Sequence, residues 1–138
     1  MKAFTTVFQN LETGDYLVQA SVMGPVSWTQ FGEPITVSKD EFGAKITGAV
    51  LEGLDKFNRE KFDPDRARKR TPKENAHFQR NHKSVSVTLL EDGDLLIRPL
   101  HKQSGGYVGH DKDSITLRRE DVQLGLANAL RASFAIAT

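Results

Sequence analysis

Four histidines, at positions 77, 82, 101 and 110, are the side chains of this 138-residue sequence best suited to acid–base chemistry or metal binding. Their spacing argues against both. His77 and His82 are five apart, whereas two imidazoles share one helical face at a spacing of about four. His101 and His110 fall in a polar stretch with no further ligand pattern, so all four read as solvated or loop-packing histidines. The run Gly105-Gly106-Tyr107-Val108-Gly109 could cradle a phosphate, yet it lacks the Lys-Ser/Thr ending of a P-loop and does not lead a strand into a helix. Its glycines are expected to bend a loop while Tyr107 packs on, or projects from, a sheet edge. Glu91, Asp92 and Asp94 crowd one turn, but acid–base catalysis needs two carboxyls across a cleft with separated pKa values. A hairpin tip offers solvated turn residues or an acidic surface for a basic partner.

The densest positive cluster is Arg66-Ala67-Arg68-Lys69-Arg70, which could meet phosphates or an acidic partner. Only Phe57, Phe62 and Phe78 lie nearby, too few for the stacking platform of a single-strand binder. No nucleophile elbow, metal triad or nucleotide fingerprint occurs. The chain is therefore expected to be a binder and not an enzyme, with no cofactor and no metal.

The length suits a single domain, residues 1–138, that buries about two thirds of its unfolded surface. With no cysteine there are no disulfides or thiolate sites, and no apolar stretch follows Met1-Lys2-Ala3-Phe4. Both facts point to the cytosol, and no run approaches the length of a membrane span. Net charge is +1, but residues 59–83 hold nine basic and four acidic side chains, a net of +5. The remainder then carries ten basic and fourteen acidic, a net of −4. An acidic body encloses a basic connector.

The elements that must position these residues follow from periodicity. Residues 4–9 and 16–22 alternate as strands around the turn chemistry of 10–15, and 84–89 and 95–98 do so around Glu91-Asp92-Gly93-Asp94. Pro99 suggests that the fourth of these strands ends there or lies at an edge. Short strands are expected at 35–37 and 115–117, each before an amphipathic helix. The first helix buries Phe42, Ile46, Ala49, Val50, Leu54 and Phe57, with Ser38 and Glu41 spaced as a capping box; the second buries Val122, Leu126, Ala129, Leu130 and Phe134. Gly43, Gly48 and Gly53 inside the first helix mark either close packing on a sheet or marginal stability. Thr71-Pro72-Lys73-Glu74 is another capping box, opening a short helix to about Arg80. Residues 58–70 read as irregular or only loosely helical, and 135–138 as a fraying tail.

These elements come twice. At an offset of 80, Ile35, Thr36, Val37, Glu41, Phe42, Ile46, Ala49 and Val50 fall on Ile115, Thr116, Leu117, Asp121, Val122, Leu126, Ala129 and Leu130. At 79 to 80 the hairpins also coincide, and the Trp28 connection falls on 101–113. Pseudo-repeats 3–58 and 83–135, joined by the basic connector 59–82, predict an α+β fold: a largely antiparallel sheet of about six strands, two main helices on one face and a short connector helix.

The second repeat carries a resemblance. His82-Lys83-Ser84-Val85-Ser86-Val87, Asp92-Gly93-Asp94-Leu95-Leu96-Ile97-Arg98-Pro99, Gly106-Tyr107-Val108-Gly109, Asp113-Ser114-Ile115-Thr116-Leu117 and Leu124-Gly125-Leu126-Ala127-Asn128-Ala129-Leu130 resemble the C-terminal part of immunity proteins of contact-dependent growth inhibition systems. The resemblance covers residues 82–134 and consists of hairpin, glycine and helix positions. It implies a non-enzymatic cytosolic protein that binds, one to one, the C-terminal toxin domain of a delivered exoprotein, often a nuclease. On that reading the acidic side chains Glu91, Asp92, Asp94, Asp111 and Asp113 would face the toxin's basic groove, and Trp28 and Tyr107 would be aromatic anchors. Core packing is the competing role for both aromatics. The alternative is a nucleic-acid-binding regulator using Arg66, Arg68, Lys69 and Arg70.

Overall fold

The computed structural model describes residues 1–104 and 106–138. It is an α+β fold of eight strands and three α-helices, in the order β1 (Ala3–Asn10), β2 (Tyr16–Met23), β3 (Trp28–Gln30), β4 (Ile35–Val37), α1 (Phe42–Arg59), α2 (Pro72–Asn81), β5 (His82–Leu89), β6 (Leu95–Gln103), β7 (Gly106–Gly109), β8 (Ile115–Leu117) and α3 (Val122–Ile136). Every pairing is antiparallel, and the sheet runs β3-β2-β1-β5-β6-β7. β4 lies beside β2, and β8 beside β6.

Strands β1 and β5 meet with Thr6 opposite Ser86, positions related by the 80-residue offset, so a local two-fold axis passes between them. The registers repeat around it. Val7 faces Val18 and Val87 faces Ile97; Tyr16 faces Val37 and Leu95 faces Leu117; Met23 faces Trp28 and Lys102 faces Tyr107. Trp28 and Tyr107 thus hold equivalent positions, one at each end of the sheet.

Strand alternation sends two sets of side chains to opposite faces. On one face Val7, Val18, Val85, Val87, Leu95 and Ile97 meet Ile46, Val50 and Leu54 of α1 and Leu126, Leu130 and Phe134 of α3, all buried. Both long helices sit there, as expected. The other face, bearing Phe4, Thr6, Phe8, Gln19, Ser84 and Ser86, is covered by the connector and α2. Phe78 meets Phe8 edge-on at 4.9 Å and stacks on His82 at 3.8 Å. Ser84, directly across from Phe8, is fully buried, a small side chain beside a large one.

Of the three glycines in α1, Gly53 is the close packing point. A methyl group there would come within 2.5 Å of Thr5 Oγ1 and 3.1 Å of Val18, whereas at Gly48 it would meet nothing. Gly48→Ala is therefore expected to stabilise the protein by up to about 1 kcal/mol through helix propensity. Gly53→Ala should lose about 1–3 kcal/mol because overpacking outweighs that gain. Urea unfolding of the two variants tests this opposition of sign.

Several expectations are corrected. Residues 28–30 and 106–109, read as connections, are strands: β2 and β6 run on past β4 and β8 and pair with them, giving eight strands where about six were expected. Short polar or glycine-bearing edge strands show no alternation to detect. Pro99 does not end β6; it faces Val85 in the ladder, at the gap where the strand's outer neighbour changes from β8 to β7. The Ser38–Glu41 capping box does not form. A 3-10 turn over Lys39–Glu41 precedes α1, and Ser38 Oγ reaches only the Glu41 carboxylate at 3.4 Å. The Thr71–Glu74 box does form, in both directions. The tail does not fray: Ala137 is buried, and Thr138 N–H donates to Leu100 O.

Candidate functional site

The hairpin joining β2 to β3 carries a cluster of apolar side chains in water. Val26 is 98 % exposed, Met23 55 % and Trp28 43 %. Met23 and Trp28 are ladder partners, and the Trp28 ring lies 4.5 Å from that of Phe4, so the indole has one face on the sheet and the other in solvent. Phe4 in turn faces Thr88 at the end of β5, where the chain enters the acidic turn. The turn is fastened to the same end of the sheet: Lys2 N–H donates to Leu89 O, and the Met1 ammonium pairs with Glu91 at 3.1 Å. Trp28, Glu91 and Asp92 therefore lie toward one end of the sheet, which carries both exposed apolar side chains and exposed carboxylates. Such pairings mark protein-binding surfaces.

The other candidates are not gathered there. Asp94 belongs to the scaffold: its Oδ1 accepts the Arg119 N–H at 3.0 Å, as Asp15 Oδ1 accepts the Lys39 N–H at 2.9 Å in the first repeat. Both follow a left-handed glycine, Gly93 at φ 93° and Gly14 at φ 79°. Asp111 pairs with Arg98 at 2.7 Å, and Asp113 lies 3.7 Å from His101, both on the far side of β6. Tyr107 is half-buried at the opposite end, donating its hydroxyl to His82 O at 3.0 Å. Burial pushes its pKa up to about 12, against an opposing effect of Arg70. Gly105, the first residue of its glycine run, lies outside the described residues; Gly106–Gly109 form β7.

The basic connector is largely occupied as a strap across the second sheet face. Phe31 and Ala67 form a β-bridge, Gly32 N–H donates to Arg66 O, and Arg68 N–H donates to Gln30 O. Arg66 lies over the Phe31 ring at 4.5 Å and pairs with Glu60; Arg68 is 3.7 Å from Glu33. Arg70 lies over Phe78 at 4.0 Å and donates to Gln30, and burial followed by the nearby Arg68 lowers its pKa. The Arg66 and Arg70 guanidinium planes thus rest on rings of the body, while Arg68 and Lys69 stay exposed.

Geometry also sorts the histidines. His82 is buried, stacked on Phe78, with Nδ1 2.8 Å from Phe78 O, and its pKa is lowered first by burial. A histidine with a depressed folded pKa contributes stability that is complete above its unfolded value of about 6.5 and is lost as pH falls below it. Urea unfolding between pH 7 and 5 should show stability falling with pH, and His82→Phe should flatten that slope. His101 and His110 do approach, with rings 5.3 Å apart beside Asp113. Among the described residues no group of three or more His, Asp or Glu is placed to hold a metal ion. No described helix is long and apolar enough to cross a membrane.

Sequence reasoning named Trp28, Glu91 and Asp92 as binding candidates but not the exposed Met23 and Val26 at the same end of the sheet. The Gly24-Pro25 break read as an interruption of the strand pattern, although it is a hairpin tip exposing its neighbours. No family model and no curated protein matches the sequence. Among solved structures, the whole chain is similar to a protein of unknown function from Neisseria meningitidis, with a TM-score of 0.69 and 12 % identity over 100 % of this chain and 98 % of that one. The two share a fold.

Proposed function

We propose that this chain is an immunity protein of a contact-dependent growth inhibition system, binding the toxin domain of a delivered exoprotein one to one and blocking it. The observation that carries the reading is the surface at one end of the sheet, which bears half-exposed Trp28, with Met23 and Val26, and also the exposed carboxylates of Glu91 and Asp92. A large ring supported from beneath by Phe4 is a pre-organised anchor that loses little entropy on binding. Carboxylates beside it steer a basic surface such as a nuclease groove and raise the association rate. The resemblance over residues 82–134 supplies the class of partner.

The alternative, a nucleic-acid-binding regulator, needs Arg66, Arg68, Lys69 and Arg70 presented together. The contacts of Arg66 and Arg70 with Phe31 and Phe78 favour the inhibitor reading. Co-expression with the domain encoded immediately upstream tests the proposal. Abolished toxicity and a one-to-one complex are expected; a domain that stays toxic and unbound overturns it.

A further inference from the structure

We infer that the cavity beneath the acidic turn is an acceptor for an aromatic side chain of a basic protein partner. The cavity, of about 410 Å³, opens between α1, the start of α3 and the β5–β6 turn. Leu51, Leu54, Leu89, Leu95 and Val122 give it an apolar wall, and Asp55, Asn58, Arg119 and Gln123 stand among its polar residues.

The local two-fold axis shows what such a space takes. Leu95, Val122 and Leu54 correspond to Tyr16, Phe42 and Phe134, and Leu51 corresponds to Arg131. At the axis-related end of the core that place is filled: Tyr16 lies 4.4 Å from Phe42 and 5.4 Å from Phe134, and the Arg131 guanidinium caps Phe42 at 4.8 Å. At the cavity, Leu95, Val122 and Leu54 put aliphatic side chains where the other end has three rings, while the backbone frame is kept. Gly14 and Gly93, with the Asp15–Lys39 and Asp94–Arg119 hydrogen bonds, are common to both. The same frame with smaller side chains leaves a space of ring dimensions. A cavity of about 150 Å³ lined by aliphatic and aromatic side chains is enough for benzene, so a side-chain ring fits with room to spare.

Charge complementarity selects a protein donor with a basic surface. Leu89 and Gly93, which line the cavity, flank Glu91 and Asp92 in the chain; Asp55 on the opposite wall is paired with Arg59 at 2.6 Å, so the acidic turn supplies the charge. Arg119 is the one basic residue of the lining. The acidic turn stands between this cavity and Trp28, so one partner can cover all three. The inference rests on the inhibitor reading for the partner's identity; the ring-binding chemistry stands without it.

The test is a ¹H–¹⁵N chemical-shift titration of the intact protein with acetyl-Lys-Phe-Lys-amide, using acetyl-Lys-Ala-Lys-amide as control. The phenylalanine peptide should give saturable shifts at Leu51, Leu54, Leu95 and Val122, with a dissociation constant on the order of 1 mM. The alanine peptide should bind at least about tenfold more weakly. Val122→Phe, which restores the residue of the first repeat, should raise the melting temperature and remove the shifts. Leu54→Phe does the same from the other wall and carries the test if the first variant fails to fold. Equal shifts with both peptides, no saturable shift, or shifts that persist in a folded variant would overturn the inference. A toxin complex unaffected by Val122→Phe overturns it while leaving the inhibitor reading intact; peptide binding with no toxin complex does the reverse.

Discussion

Trp28→Ala is expected to weaken the proposed toxin complex by at least about 30-fold, equivalent to about 2 kcal/mol. The indole is 43 % exposed in the free protein and already supported by Phe4, so binding would remove the rest of its surface from water without ordering a new side chain. The free protein loses the ring contact with Phe4, about 0.5–1.5 kcal/mol, in addition to the area the indole already buries, and with the backbone pairing of β3 kept its fold should survive. That separation makes the variant informative: binding falls steeply while thermal unfolding moves little, and calorimetry of both quantities reads the difference. Reversing the charge of Asp92, exposed in the turn, should act otherwise. Asp92→Lys should slow association most at low salt, because steering by an exposed charge is screened within about 10 Å at 0.1 M ionic strength.

Phe78→Ala is expected to cost about 2–4 kcal/mol of stability. One ring there holds three contacts: edge-on with Phe8, stacked with His82 and capped by Arg70 at 4.0 Å. Removing it leaves a void between α2 and the sheet and takes away the surface on which Arg70 rests. α2 is polar along most of its length and has no buried residue, so little else fixes it. Its other ties to the body include Gln79, whose side-chain amide donates to Gln103 O and Gly106 O, and Asn81, whose backbone carbonyl accepts the Leu11 N–H. Hydrogen exchange should therefore accelerate across residues 66–81 more than across β1 and β5, and denaturant unfolding gives the total loss.

The scaffold was legible in the sequence because its signals are local. Alternation in 84–89, the helical stripes from Phe42 and Val122, and the Thr71 capping box all emerge as elements at their expected places. The offset of 79 to 80 carried further, since it also fixes which positions are equivalent, and the ladders repeat at that offset. Less legible was whatever depends on two distant segments meeting. Arg66 to Arg70 read as a charge cluster, and only the Phe31–Ala67 bridge and the rings of Phe31 and Phe78 turn it into a strap. Asp94 read with Glu91 and Asp92 as one acidic patch, although its match to Asp15 at the same offset could have marked it as scaffold. The open cavity also lay in that comparison, in the replacement of Tyr16, Phe42 and Phe134 by leucine and valine.

Hydrogen exchange of the protein with and without the domain encoded upstream tests most directly which surface does the binding. Protection is expected at residues 23–28 and 90–94, the hairpin tip and the acidic turn, with α2 and the strap unchanged. Protection confined to residues 66–70, or none on formation of a stable complex at the Trp28 end, would contradict it.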